Sequence, residues 1–322
     1  MGSTEMECLV GTCPICYKKD AAQAGRVLGR DDRDYDVLQC QQCGLLFVSP
    51  FPRLSSKDSE EIYDADYYGS NWGEAGRGYF DPEKSESMRR EAERQRRVIE
   101  NETGVIRGNI LDIGCGDGRY LGTFAQAGWH AVGVEVSREA VERAERQEGV
   151  KILHGTVDST ALENATFDVI RMKHCIEHLS FPKETLISVA RLLRPGGFLV
   201  LDTDNADGLR SRCERLIQRT AGPVANRLVK QIMRKDLRRR FGRLSPPIHL
   251  LYFSPTSLCH ALQSVGLTVH KMFSVHHGHP IWFPLVHPCR CHPLEALFRC
   301  VDRVGYLINR GEALVCFAQK RD

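Results

Sequence analysis

Residues 110 to 118 read Ile-Leu-Asp-Ile-Gly-Cys-Gly-Asp-Gly. The apolar run Ile110, Leu111 and Ile113 enters three glycines at alternate positions, Gly114, Gly116 and Gly118, and then a helix-compatible stretch, Arg119 to Ala127. That pattern predicts a buried strand, a tight turn and a helix start. Glycines let the backbone turn sharply and let a ligand come closer than any Cβ would permit, while the first amides of the helix point at the same place. The natural occupant is a nucleotide-like cofactor.

A dinucleotide fingerprint requires Gly-x-Gly-x-x-Gly, and its third glycine would fall at Arg119. The chain instead carries Asp112 two residues before the first glycine, an acid suited to a cationic or amine-bearing ligand. After the second apolar run, Ala131 to Val134, stands Glu135, placed to hold two ribose hydroxyls. These features, with the Phe167-Asp168-Val169-Ile170 strand and Leu193-Arg194-Pro195-Gly196-Gly197, resemble the class I S-adenosylmethionine-dependent methyltransferases. The resemblance is close over residues 105 to 205. It implies a doubly wound α/β fold, Rossmann-like, with a mostly parallel seven-stranded sheet, and S-adenosylmethionine as cofactor. The residues it assigns to that cofactor are Asp112, Gly114, Cys115, Gly116, Glu135, Val157, Asp158 and Lys173, with Tyr68 from an aromatic loop. At the adenine end Thr156 occupies the commonest acid position, and Asp158 is the nearest carboxylate.

The totals fit such a chain. With 322 residues, 42% hydrophobic and 26% charged, there is room for one full domain and a smaller appendage. A net charge of +3 does not by itself demand a polyanionic partner. No stretch reaches the roughly 18 to 20 apolar residues of a membrane span, and the polar N-terminus does not read as a signal peptide, so the expected location is cytoplasmic.

Thirteen cysteines, unevenly spread, suit metal binding better than a disulfide framework. Cys13-Pro-Ile-Cys16 and Cys40-Gln-Gln-Cys43 are two Cys-x-x-Cys knuckles 23 residues apart. Four thiolates make a closed tetrahedral zinc site, structural because no coordination position stays open. Cys8 lies outside the pattern. The expected organisation is a zinc ribbon over 1–52, an aromatic loop and helical connector over 53–104, and a methyltransferase domain over 105–322. The aromatic loop holds Tyr63, Tyr67, Tyr68, Trp72, Tyr79 and Phe80.

Strand and helix alternate after the glycine loop: strand His130 to Val134, helix Ser137 to Gln147, strand Val150 to Leu153, strand Phe167 to Met172, helix Lys183 to Arg194, strand Phe198 to Asp202. The fourth strand runs into Lys173-His174-Cys175-Ile176-Glu177-His178 at the mouth of the cofactor crevice. His178 or His174 is the expected general base, with Glu177 as orienter. Some quinone-pathway O-methyltransferases carry a Glu-x-x-Glu-His divalent-metal site here; this chain has His174 in place of the first Glu. His249, in Pro246-Pro-Ile-His249, is a candidate substrate contact, and Leu267 to Val275 with Ala313 to Ala318 read as a final antiparallel pair.

Two segments read as caps, at about 206–250 and about 276–310. Within the first, residues 209 to 243 hold twelve Lys or Arg against Glu214 and Asp236, which suits an anionic substrate or a membrane surface. The second carries His276, His277, His279, His287, Cys289, Cys291 and His292 at irregular spacing. The expected reaction is methyl transfer to a hydroxyl of a saccharide or other small polar metabolite. Two alternatives stay open: an RNA methyltransferase that uses the ribbon and basic cap on phosphates, with nucleic acid the less favoured partner because the run lacks interleaved aromatics, and a non-catalytic cofactor-binding scaffold.

Overall fold

The computed structural model describes residues 8–28, 34–62, 82–144, 149–209, 211–213, 249–275, 304–305 and 307–321. Tyr68 and its aromatic loop, most of the basic cap and the His/Cys-rich segment lie outside the described residues.

Four strands, β6 (Asn109–Ile113), β7 (His130–Glu135), β8 (Val150–His154) and β9 (Phe167–Lys173), run parallel, and β10 (Leu193–Asp204) joins β9 in the same sense. β13 (Ala313–Lys320) lies antiparallel between β10 and β12 (Leu267–Val275), giving the order β12-β13-β10-β9-β6-β7-β8. The expected seven-stranded, mostly parallel sheet is therefore present. Strands covered on both faces read as continuous apolar runs, and Phe167 to Met172 is buried at every position. β6 is flanked by β7 on one side and β9 on the other, so the chain reverses direction across the sheet there. In open α/β sheets, ligands sit beyond the carboxyl ends of the strands at that reversal.

The helices are α1 (Ser56–Ile62), α2 (Pro82–Thr103), α3 (Arg119–Gln126), α4 (Arg138–Ala144), α5 (Pro182–Leu192) and α6 (Pro255–Gln263). Ser137 starts α4 as the sequence suggests, its hydroxyl accepting the Ala140 amide at 3.2 Å. Among the boundaries that differ from the sequence reading, those of two helices have a clear local cause. α6 begins at Pro255 rather than Ser257, because Ser254 and Ser257 form a reciprocal capping box around Pro255 in the first turn. α5 ends at Leu192 rather than Arg194: the residue before Pro195 is kept out of the helical region, and Leu193 already pairs with Phe167.

At the N-terminal end, β2 (Ala21–Leu28), β3 (Asp34–Cys40) and β4 (Leu46–Ser49) form an antiparallel ribbon, and β1 (Cys8–Leu9) pairs with β5 (Phe51–Pro52). The ribbon sheet has a fourth strand that the sequence did not reveal. β11 (Leu251–Tyr252), two hundred residues downstream, lies antiparallel to β4. Its apolar residues and those of β4 share one core with the central sheet. No helix among the described residues is long and apolar enough to cross a membrane.

Candidate active site

Gly114, Gly116 and Gly118 adopt left-handed φ angles of 74°, 57° and 72°, so each glycine of the motif occupies a conformation that a side chain would strain. The amides of Gly114 and Cys115 donate to the Val134 carbonyl at 2.8 and 3.3 Å, which fastens the turn to β7. Cys115 is buried against Gly133, where an added Cβ would lie 2.5 Å from its sulfur.

Asp112 is 1% exposed. Its Oδ2 accepts from Arg171 Nη1 at 2.6 Å, and Arg171 also donates to Gln95 Oε1 at 3.2 Å and lies 4.7 Å from the Tyr120 ring centroid. Burial pushes the Asp112 carboxyl up, against the pull of Arg171. Its Oδ1 is buried with no hydrogen-bond partner among the described residues, and a ligand's ammonium group is the donor such an oxygen suits. Glu135 is turned inward: Oε2 accepts the Gly116 amide at 2.8 Å and Oε1 the Ser137 amide at 3.0 Å. Each oxygen of an ionised carboxylate keeps further acceptor capacity, so this arrangement is compatible with ribose hydroxyls as additional donors. Asp158 faces α5, accepting from Ser188 Oγ at 2.5 Å and Thr185 Oγ1 at 3.4 Å, while Val157 is buried. Lys173 Nζ lies 3.8 Å from Asp202 and 5.6 Å from the Tyr120 ring centroid, and burial lowers its pKa.

Beyond β9 the chain makes a turn of 3-10 helix, Ile176–His178. His174 Nδ1 meets Glu177 Oε1 at 3.0 Å and its Nε2 faces Asp202 Oδ1 at 3.7 Å. Burial pulls the imidazole down, but Asp202 and Glu177 outweigh it and raise its pKa to about 9. Glu177 is fully buried, and its Oε2 accepts from Thr203 Oγ1 at 2.8 Å. Burial pushes its carboxyl up, yet the His174 hydrogen bond and the charges of His174 and His178 prevail and hold it below the usual carboxylate range. The His178 ring packs edge-on against His249, centroids 4.5 Å apart, and His249 Nδ1 lies 3.2 Å from Asp204 Oδ2. The structure thus gathers His174, Glu177, His178 and His249 at the carboxyl ends of β9 and β10. Ligand atoms of His174, Glu177 and Asp204 lie within 4.8 Å of one another. His174 is therefore the protonated partner of Glu177 at neutral pH.

Four members of this site escaped the sequence reading. Arg171 is the one charge inside the buried run from Val169 to Met172, and a cation there needs a buried anion such as Asp112. Asp202, Thr203 and Asp204 end β10 where ligands bind in such sheets, a polar cluster that position alone would have flagged.

In the ribbon, Cys13 Sγ and Cys43 Sγ are 3.6 Å apart, Cys16 Sγ and Cys40 Sγ 3.5 Å, and all four sulfurs lie within 4.8 Å of one another. A tetrahedron with ~2.3 Å zinc–sulfur bonds has edges of about 3.8 Å, so the donor set fits that metal.

The sequence profile of the family described as "Methyltransferase domain" matches residues 84–272, more than half of the chain. This chain belongs to that family. It is 35% identical over 108 residues to a protein of transposon Tn4556 from Streptomyces fradiae, a match covering 31% of either chain. It is 32% identical over 113 residues to the ubiquinone biosynthesis O-methyltransferase of Aromatoleum aromaticum, covering 33% of this chain and 48% of that one. The chain thus spans about a third to a half of the length of these curated relatives. In three dimensions it resembles the 1,6-didemethyltoxoflavin-N1-methyltransferase of Burkholderia thailandensis, solved with 1,6-didemethyltoxoflavin and S-adenosylhomocysteine. The TM-score is 0.50 at 16% identity, covering 92% of this chain and 100% of that one, a likeness of fold.

Proposed function

We propose that this methyltransferase-family chain transfers a methyl group from S-adenosylmethionine to a hydroxyl of a small polar acceptor, with a saccharide or comparable metabolite as the substrate class. The observation that carries this reading is the cluster of three imidazoles and three carboxylates at the carboxyl ends of β9 and β10, beside a glycine loop with the buried Asp112 Oδ1. Asp112, Gly114, Cys115, Gly116, Glu135, Val157, Asp158 and Lys173 would hold the cofactor. When bound, S-adenosylmethionine supplies a methyl already activated by its sulfonium. What remains for the protein is to position the acceptor and remove its proton. His174 is charged at neutral pH and cannot accept one. The base is His178, next to Glu177 on the 3-10 turn and packed edge-on against His249. His249, backed by Asp204, lines the acceptor side.

Likeness to ubiquinone biosynthesis O-methyltransferases supports oxygen as the acceptor atom. The saccharide class rests on resemblance to ribbon-bearing methyltransferases, since fold and cofactor do not fix an acceptor. In the ribbon, Cys13, Cys16, Cys40 and Cys43 would hold a structural zinc.

Calorimetry with S-adenosylhomocysteine tests the cofactor reading, with one ligand per chain expected. Absence of binding to the folded protein overturns it. Transfer of labelled methyl from S-adenosylmethionine to a panel of nucleotide-sugars then tests the acceptor. With a productive acceptor, His178→Ala is expected to lower kcat by roughly 10²–10⁴-fold at unchanged cofactor affinity; an unchanged kcat removes His178 as base.

A further inference from the structure

The four-cysteine ribbon is wired to the acceptor side of the site. The knuckle Cys40–Cys43 is the turn between β3 and β4: Gly44 N–H donates to the Cys40 carbonyl and Cys40 N–H to the Leu45 carbonyl, both at 2.9 Å. β4 therefore starts three residues after Cys43, directly beyond this turn. β4 in turn carries β11, with Leu251 opposite Phe47 and Tyr252 opposite Leu46. The Val48 amide donates to the Leu250 carbonyl at 3.1 Å, and the Leu250 amide donates to the Glu177 carbonyl at 2.8 Å. The Tyr252 hydroxyl donates to the His249 carbonyl at 2.9 Å. A second tie runs from the ribbon to α5: Tyr17 Oη and Arg53 Nη2 both reach Glu184 Oε1, at 2.8 and 2.9 Å, and the Arg53 guanidinium lies 4.5 Å from the Phe181 ring centroid.

We propose that the ribbon is a positioning element of the active site: metal held by Cys13, Cys16, Cys40 and Cys43 fixes β4, β4 fixes β11, and β11 sets His249 and the Glu177 turn. The proposal rests on the metal reading of the ribbon and not on the identity of the acceptor. Its physical basis is that Phe47, Val48, Leu250, Leu251 and Tyr252 are buried as one ladder. Losing the ribbon would expose that ladder's amides and free the segment that carries His249. The glycine loop has no bond to the ribbon among these contacts and takes its supports from β7.

The test uses the full-length, zinc-loaded protein with labelled histidines, its metal content measured throughout. Zinc is removed by chelation under reducing conditions and then restored. Without metal, hydrogen exchange at the Val48 and Leu250 amides should speed by roughly tenfold or more. The ring signals of His249 and His178 should shift or broaden, S-adenosylhomocysteine affinity should stay within about twofold, and zinc should reverse every change. Unchanged exchange and unchanged histidine signals in metal-free protein overturn the proposal, as does loss of cofactor affinity together with global unfolding. A purified protein that never takes up zinc refutes the metal reading instead, and metal analysis tells the two failures apart. The variant Phe47→Leu keeps all four cysteines and thins the β4 face. It should perturb the His249 signals at full zinc content, and an unaltered His249 spectrum in that variant also counts against the proposal.

Discussion

His174 and Glu177 close an ion pair of 3.0 Å across three residues, on a turn where the His174 backbone is left-handed at φ 47°. A non-glycine residue in that region costs roughly 1–3 kcal/mol. The same pair sets the charge of the site.

His174 should titrate at about 9 by NMR, and Glu177→Gln should lower that midpoint by at least about one unit. A raised imidazole pKa adds stability in full below the unfolded value of ~6.5 and loses it as pH climbs toward about 9. Urea titrations of the wild type between those limits should show this decline, and Glu177→Gln should flatten it.

Asp112 and Arg171 form a buried pair at 2.6 Å. Asp112→Ala leaves a buried guanidinium uncompensated and should cost about 3–5 kcal/mol in urea unfolding. The double variant Asp112→Leu with Arg171→Met, which removes both charges, should recover most of that stability while still failing to bind S-adenosylhomocysteine.

Gly118 combines φ 72° with a Cβ position 2.8 Å from Ile152 Cδ1. Gly118→Ala should destabilise by roughly 1–3 kcal/mol and weaken S-adenosylhomocysteine binding, because relieving the contact moves the loop. Gly44 has a similar φ with open space around its Cβ position, and Gly44→Ala should leave that affinity unchanged.

Metal analysis of the purified protein should find one zinc per chain. Cys16→Ser should abolish it and lower the thermal midpoint, since the binding energy of a structural metal is folding energy.

Much of this was legible along the chain because it depends on local pattern. The run Ile110 to Gly118 specified strand, turn and helix. Apolar strands alternating with helices specified the parallel sheet, and two Cys-x-x-Cys turns specified a four-sulfur cluster. Proximity between distant segments was not legible. Nothing in Leu251-Tyr252 marks it as a partner of β4, since two apolar residues pair with any free strand edge and only the packed core selects which. Nothing local links Arg171 to Asp112, whose pairing comes from register between β6 and β9. That His174 holds a proton at neutral pH was likewise undecided by spacing. It follows from Asp202 and Glu177 converging on His174, an electrostatic environment that exists only once β9 and β10 lie side by side.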